Sequence, residues 1–164
     1  MSCWPRDDRA FRRAALRLAY PFAARLWRWF GPPLSAGVRV LLVDAGEVVL
    51  VRHTYGYGWY LPGGGLDPGE TFDGAARREA REEVGADLKS LRLFGAYTNR
   101  AEGRSDNVIV LIATEFSLGD IDGVEIAKVG RFPLNDLPEG TSPGTLRRLA
   151  EYQSAPAGGH VGRW

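Results

Sequence analysis

The period of the apolar positions changes along the chain. Over residues 6–30, Phe11, Ala15, Leu18, Phe22, Leu26 and Trp29 recur at helical spacing, with arginines around the rest of the circumference. This predicts an amphipathic helix, interrupted at Pro21 and stopped by Gly31-Pro32-Pro33. From Gly37 the texture becomes that of strands. Residues 38–43 and 48–52 are rich in valine and leucine and flank Asp44-Ala45-Gly46-Glu47, which predicts a hairpin. Glycines and aromatics fill 55–65. Residues 72–84 are dense in Ala, Arg and Glu and end at Gly85, which predicts a helix with a glycine stop. Further strands are expected over 91–98, 108–116 and 126–132, a last helix over 143–152, and a flexible tail over 154–164. This irregular alternation implies a mixed sheet with helices packed on its faces. The expected organisation is therefore a basic helical extension over 1–36, a mixed-sheet domain over 37–153 and the tail.

Composition narrows the chemistry. A chain of 164 residues that is 45% hydrophobic and 25% charged suits one folded domain and excludes wholesale disorder. Cys3 stands alone, so neither an intrachain disulfide nor a cysteine-rich zinc site can form. His53 and His160 are the only histidines, which excludes a multi-histidine centre. Any metal must be held by oxygen. Only Lys89 and Lys128 are lysines, and so Arg-, Ala- and Gly-rich a composition suits a GC-rich bacterial genome.

The net charge of +1 is unevenly spread, because residues 1–37 hold seven arginines against Asp7 and Asp8. No run of about 20 apolar residues spans a bilayer. Arginines interrupt every apolar run, which argues against a secretory signal. Two readings of residues 6–30 stay open: a helix packed on the domain or on a second copy in a homodimer, or an Arg/Trp-rich helix on an anionic membrane surface. The expected location is cytoplasmic, membrane-peripheral under the second reading. A nucleic-acid partner ranks last, because the acidic centre of the chain would repel it.

That centre is Glu79, Glu82 and Glu83, at i, i+3 and i+4 on one face of the predicted helix. Three like charges there weaken a helix unless a hard divalent cation sits among them. Alternatively they form a solvated face paired with Arg77, Arg78 and Arg81. The segment in front decides between these. Gly64, Glu70, Arg78, Glu79, Glu82, Glu83 and Gly85 together resemble the signature of the Nudix hydrolases, MutT-like enzymes: G-x5-E-x7-R-E-U-x-E-E-x-G-U, with U a bulky aliphatic. Ala80 and Ala86 depart from it at the two U positions.

The resemblance implies an α/β/α sandwich on a mixed sheet. It also implies hydrolysis, dependent on Mg²⁺ or Mn²⁺, of a pyrophosphate bond in a nucleoside diphosphate linked to another moiety. Nucleoside triphosphates, ADP-ribose, nucleotide sugars and dinucleoside polyphosphates are the candidates. Glu79, Glu82 and Glu83 would hold the metal, with the Gly64 carbonyl as a further ligand, and Glu79 is the first choice as base. Glu70 and Arg78 would be architectural. A downstream carboxylate is expected at Glu125, with Glu115 as runner-up. The alternative is a non-catalytic nucleotide-sensing or scaffold module on the same fold.

Around this centre, Arg52, Tyr57 and Trp59 are candidates for substrate binding, with Tyr55 beside them and Arg100 and Arg104 farther along. His53 reads as a strand-end histidine rather than a base. Gly140-Thr141-Ser142-Pro143-Gly144 imitates a serine-hydrolase elbow, with Glu151 and His160 in triad order. Proline after the serine removes the N–H that an oxyanion hole needs, so Ser142 reads instead as a helix cap.

Overall fold

The computed structural model describes residues 34–54, 57–101, 104–120 and 126–164. The basic helix expected over 6–30, and with it the homodimer and membrane readings, lies outside the described residues, as do Tyr55 and Glu125. Strand β1 (Leu34–Asp44) turns through Ala45 and Gly46, both at positive φ, into β2 (Glu47–His53). That is the backbone of a tight hairpin. The other elements are helix α1 (Phe72–Val84), β3 (Ala86–Leu88), β4 (Arg92–Ala101), β5 (Arg104–Ala113), β6 (Phe116–Leu118), β7 (Ile126–Pro133), helix α2 (Pro143–Ser154) and β8 (His160–Arg163). Six strands form one sheet in the order β7-β2-β1-β5-β4-β8. β1 with β5 and β4 with β8 pair in parallel; the other neighbours are antiparallel. This is the mixed sheet expected.

A helix covers each face. Ala75, Ala76, Ala80 and Val84 of α1 are buried against Val38, Val40, Leu42, Val49 and Val51. Ala80 in α1 and Ala86 in β3, the two positions where the signature carries bulkier residues, are both buried in the core on this face. On the opposite face Leu149 of α2 packs with Leu41, Val43, Leu50, Leu61, Phe94 and Ile112. The result is the expected α/β/α sandwich. Among the described residues no helix is long and apolar enough to cross a membrane.

Local chemistry sets the bounds of α1. The Thr71 hydroxyl accepts the Gly74 N–H at 3.1 Å, and Gly85 ends the helix at φ 65°, its N–H bonded to the Arg81 carbonyl at 2.9 Å. A Cβ at Gly85 would stand 2.5 Å from the Gly119 oxygen, so glycine is required by space as well as by φ. Helix α2 begins as read, with Ser142 capping the Thr145 N–H and Pro143 in the first turn.

Two expectations are corrected. The strand expected over 108–116 divides: β5 starts at Arg104 and ends at Ala113, and β6 pairs instead with β3 as a separate two-stranded sheet. In the flexible tail expected over 154–164, Ser154 ends α2 and His160–Arg163 form strand β8. Gly158 and Gly159, at φ 86° and 85°, turn the chain back. The Gly159 N–H bonds the Phe94 carbonyl at 2.9 Å and the Trp164 N–H bonds the Thr98 carbonyl at 3.1 Å, locking β8 beside β4.

Candidate active site

The glycine segment runs along the edge of β1 before the chain enters α1. The Val38 N–H bonds the Gly64 carbonyl at 2.9 Å, the Val40 N–H bonds the Pro62 carbonyl at 2.8 Å, and Gly37 bridges Gly65. The Gly64 oxygen thus accepts one backbone bond and keeps a second lone pair. The approach to α1 is tight: a Cβ at Gly64 would meet Glu79 Oε1 at 2.4 Å. The Glu79 carboxylate therefore lies directly on the glycine backbone, where any side chain would displace it.

Arg78 fastens segment and helix together. Its Nε and one terminal nitrogen donate to the two oxygens of Glu70 at 3.0 and 2.9 Å, and the same nitrogen reaches the Gly65 carbonyl at 3.1 Å. The other terminal nitrogen donates to Glu79 Oε1 at 2.7 Å and stands 3.6 Å from Glu82 Oε2. Such a bidentate fork fixes geometry as well as charge. Glu70 also accepts the Asp67 N–H at 3.0 Å. The Arg78 hydrogen bond first, then the Asp67 N–H, holds the Glu70 carboxyl below its ordinary 4.5. A lowered folded value means that this stabilisation is complete above about pH 4.5 and fades as pH falls through the folded value. In melts across pH, the gap in midpoint between wild type and Glu70→Gln should be full at pH 7 and narrow below pH 4. A gap constant to pH 2 would refute the ionic clamp.

The three glutamates of α1 have different settings. Glu79 and Glu83 are 13% and 12% exposed, whereas Glu82 is 58% exposed. Glu83 Oε2 accepts the Gly63 N–H at 2.8 Å, and its Oε1 stands 3.8 Å from His53 Nδ1. Among the described residues no three His, Cys, Asp or Glu side chains are already gathered as a metal centre. The donor set nevertheless fits a hard divalent ion: three carboxylates from one helix face beside a backbone carbonyl with a lone pair to spare.

The other candidates separate from this centre. Trp59 packs edge-to-face on Phe132, with ring centroids 4.8 Å apart, and the Arg52 guanidinium lies 5.6 Å over its ring. Trp59 and Phe132 belong to the cluster on the α2 face, opposite the glutamates of α1. Tyr57 is fully exposed. Glu115 is exposed in the turn between β5 and β6. The imitation triad is dispersed: Ser142 caps α2, Glu151 bonds Arg148 and Tyr97, and His160 Nε2 faces the Ala155 carbonyl at 3.1 Å. The contacts of Glu83 with Gly63 and His53 were not read from the sequence. A histidine ending an inward-facing row of valines was the available signal.

A family model described as NUDIX domain matches residues 32–152. Diphosphoinositol polyphosphate phosphohydrolase 2 of Rattus norvegicus is 40% identical over 83 residues, covering 50% of this chain and 46% of the relative. RNA pyrophosphohydrolase of Erwinia tasmaniensis is 41% identical over 54 residues, 33% of this chain and 31% of that one. The chain thus spans half or less of the length of these curated relatives. Among solved structures, a MutT NUDIX hydrolase from Burkholderia pseudomallei superposes with a TM-score of 0.65 at 26% identity, covering 72% of this chain and 97% of that one.

Proposed function

Because the chain belongs to the Nudix family, we propose that it is a hydrolase of a pyrophosphate bond in a nucleoside diphosphate linked to another moiety, acting with Mg²⁺ or Mn²⁺ held by Glu79, Glu82 and Glu83. The observation that carries this reading is the Arg78 fork. It binds Glu70 and the Gly65 carbonyl, and so holds the glycine segment against the helix face from which all three carboxylates project.

A bound divalent cation supplies charge neutralisation of the diphosphate, polarisation of phosphorus and a lowered pKa for an attacking water. The chain's own residues do the rest. The glycine backbone admits phosphate oxygens closely, and the Gly64 carbonyl adds an oxygen donor. Glu79, lying on that backbone, is placed to take the proton from water. Glu83, oriented by the Gly63 N–H, offers the carboxylate lone pairs that this bond does not use.

The relatives are named as a phosphohydrolase of diphosphoinositol polyphosphates and a pyrophosphohydrolase of RNA, so their names share cleavage at a diphosphate and not the molecule that carries it. That supports carrying over the bond cleaved while leaving the attached moiety to a screen. The test is a panel of nucleoside triphosphates, ADP-ribose, nucleotide sugars, dinucleoside polyphosphates and a diphosphoinositol polyphosphate, with Mg²⁺, Mn²⁺ or EDTA. At least one member should release phosphate or nucleotide in either metal and none in EDTA. A chain that binds nucleotide yet cleaves nothing in the panel is the non-catalytic module instead.

A further inference from the structure

His53 ends β2, and its place on the strand sets its direction. Val49 and Val51 are buried in the cluster facing α1, so alternation along the strand turns His53 to the same face. Another aliphatic residue would extend that row. An imidazole there is 12% exposed, and a polar group buried so far needs a polar neighbour. Glu83 is such a neighbour: its Oε1 lies 3.8 Å from His53 Nδ1, within ion-pair reach. Tyr60 lies beside the imidazole, ring centroids 5.8 Å apart, itself tied to β2 by reciprocal backbone bonds with Val51 of 3.0 and 2.9 Å. The β2–β7 register also shifts here: Arg52 faces Lys128 but His53 faces Ile126. Such irregularities gather beside active sites and re-aim side chains.

We propose that His53 is a positioning residue for Glu83. Together with the Gly63 N–H on Oε2, the imidazole fixes the rotamer and plane of the carboxylate, so that Glu83 meets a divalent cation already oriented. The inference rests on the metal role of Glu83 given above. Its physical basis is entropy. A free glutamate loses its rotamer freedom when it takes a ligand, whereas one hydrogen-bonded at Oε2 and flanked at 3.8 Å by an imidazole at Oε1 has already lost much of it. Partners that orient a metal ligand typically contribute 10- to 100-fold in metal affinity. His53 acts through Glu83 and not on the ion, so its effect belongs to binding and geometry.

The experiment is a Mn²⁺ titration of the full chain without substrate, following the free ion by electron paramagnetic resonance, beside thermal melts in metal-free buffer. His53→Ala should weaken Mn²⁺ binding about tenfold or more. His53→Asn, which places an N–H near the Nδ1 position, should recover affinity to within about threefold of wild type. Melts of both variants should agree, which separates positioning from folding. Unchanged affinity in His53→Ala overturns the proposal, and so does an equal loss in both variants. Glu83→Gln serves as the control. If it binds Mn²⁺ as wild type does, the metal role of Glu83 fails, and the assignment of His53 fails with it. If Glu83→Gln loses binding and His53→Ala does not, only the assignment of His53 falls. Wild type that binds Mn²⁺ and follows this pattern, but hydrolyses nothing, leaves the positioning role standing while the hydrolase reading falls.

Discussion

Replacing Glu82 with glutamine should lower kcat for pyrophosphate hydrolysis by about 100-fold to 1,000-fold while leaving the fold intact. Glu82 is the cleanest probe of the three carboxylates. Glu79 is pressed on Gly64 and bonded to Arg78, and Glu83 carries the Gly63 N–H, so changing either disturbs the segment as well as the charge. Glu82 is 58% exposed, and its nearest charged partner is Arg78 at 3.6 Å. Losing that exposed pair removes a few tenths of a kcal/mol, and relief of repulsion from Glu79 and Glu83 returns about as much. The melting midpoint should therefore move by less than about 2 °C. The loss in rate has a different source. An anionic metal ligand supports charge stabilisation in the transition state worth several kcal/mol, and each 1.36 kcal/mol is about tenfold in rate. Steady-state kinetics against the best substrate of the panel, with Mg²⁺ in excess, checks this. A variant that keeps more than half of wild-type kcat would remove Glu82 from the metal site.

The sequence disclosed the elements whose signals are local. Helix α1 is legible over 72–84 because its composition and its glycine stop lie within the segment itself, and the Ser142 cap of α2 is legible for the same reason. The spacing of Gly64, Glu70, Arg78 and the glutamates could be read because one loop and one helix carry all of it. What escaped depends on partners far along the chain. The residues of β8, His-Val-Gly-Arg, have no apolar alternation, and their strand exists because β4 offers an edge, about sixty residues away, for parallel pairing. The start of β5 is polar, Arg104-Ser-Asp-Asn, and is extended because β1 and β4 flank it, with Ser35 hydrogen-bonded to Asp106. Trp59 and Arg52 sit beside the signature in sequence, yet strand alternation puts them on the opposite face of the sheet.

Glu151→Leu should strongly destabilise the α2 face, and the reason is the guanidinium it would strand. Arg148 is only 2% exposed. It donates to Glu151 Oε1 at 2.8 Å and to the Arg163 carbonyl at 3.1 Å, and lies 3.7 Å from the centre of the Tyr97 ring. The Tyr97 hydroxyl donates to the other oxygen of Glu151 at 2.7 Å, so this carboxylate balances both groups. Breaking a buried pair by removing one partner typically costs about 3–5 kcal/mol. Glu151 is 32% exposed, which favours the lower end, about 3 kcal/mol, or roughly 6–12 °C in melting midpoint. The charge, rather than lost packing, is responsible if Arg148→Met added to Glu151→Leu recovers most of the difference, since an apolar pair needs no compensation. Failure of the double variant to recover would assign the loss to packing.

The same cluster predicts an alkaline limb. Burial first, then the hydrogen bond to Glu151, pushes the Tyr97 hydroxyl well above its ordinary 10. A raised folded value means that its contribution is complete below about pH 10 and is lost as pH rises towards that value. Midpoints of wild type should therefore fall more steeply above pH 10 than those of Tyr97→Phe, which has no proton to lose at that position. Parallel slopes in the two proteins would mean that the ionisation of Tyr97 is not coupled to folding.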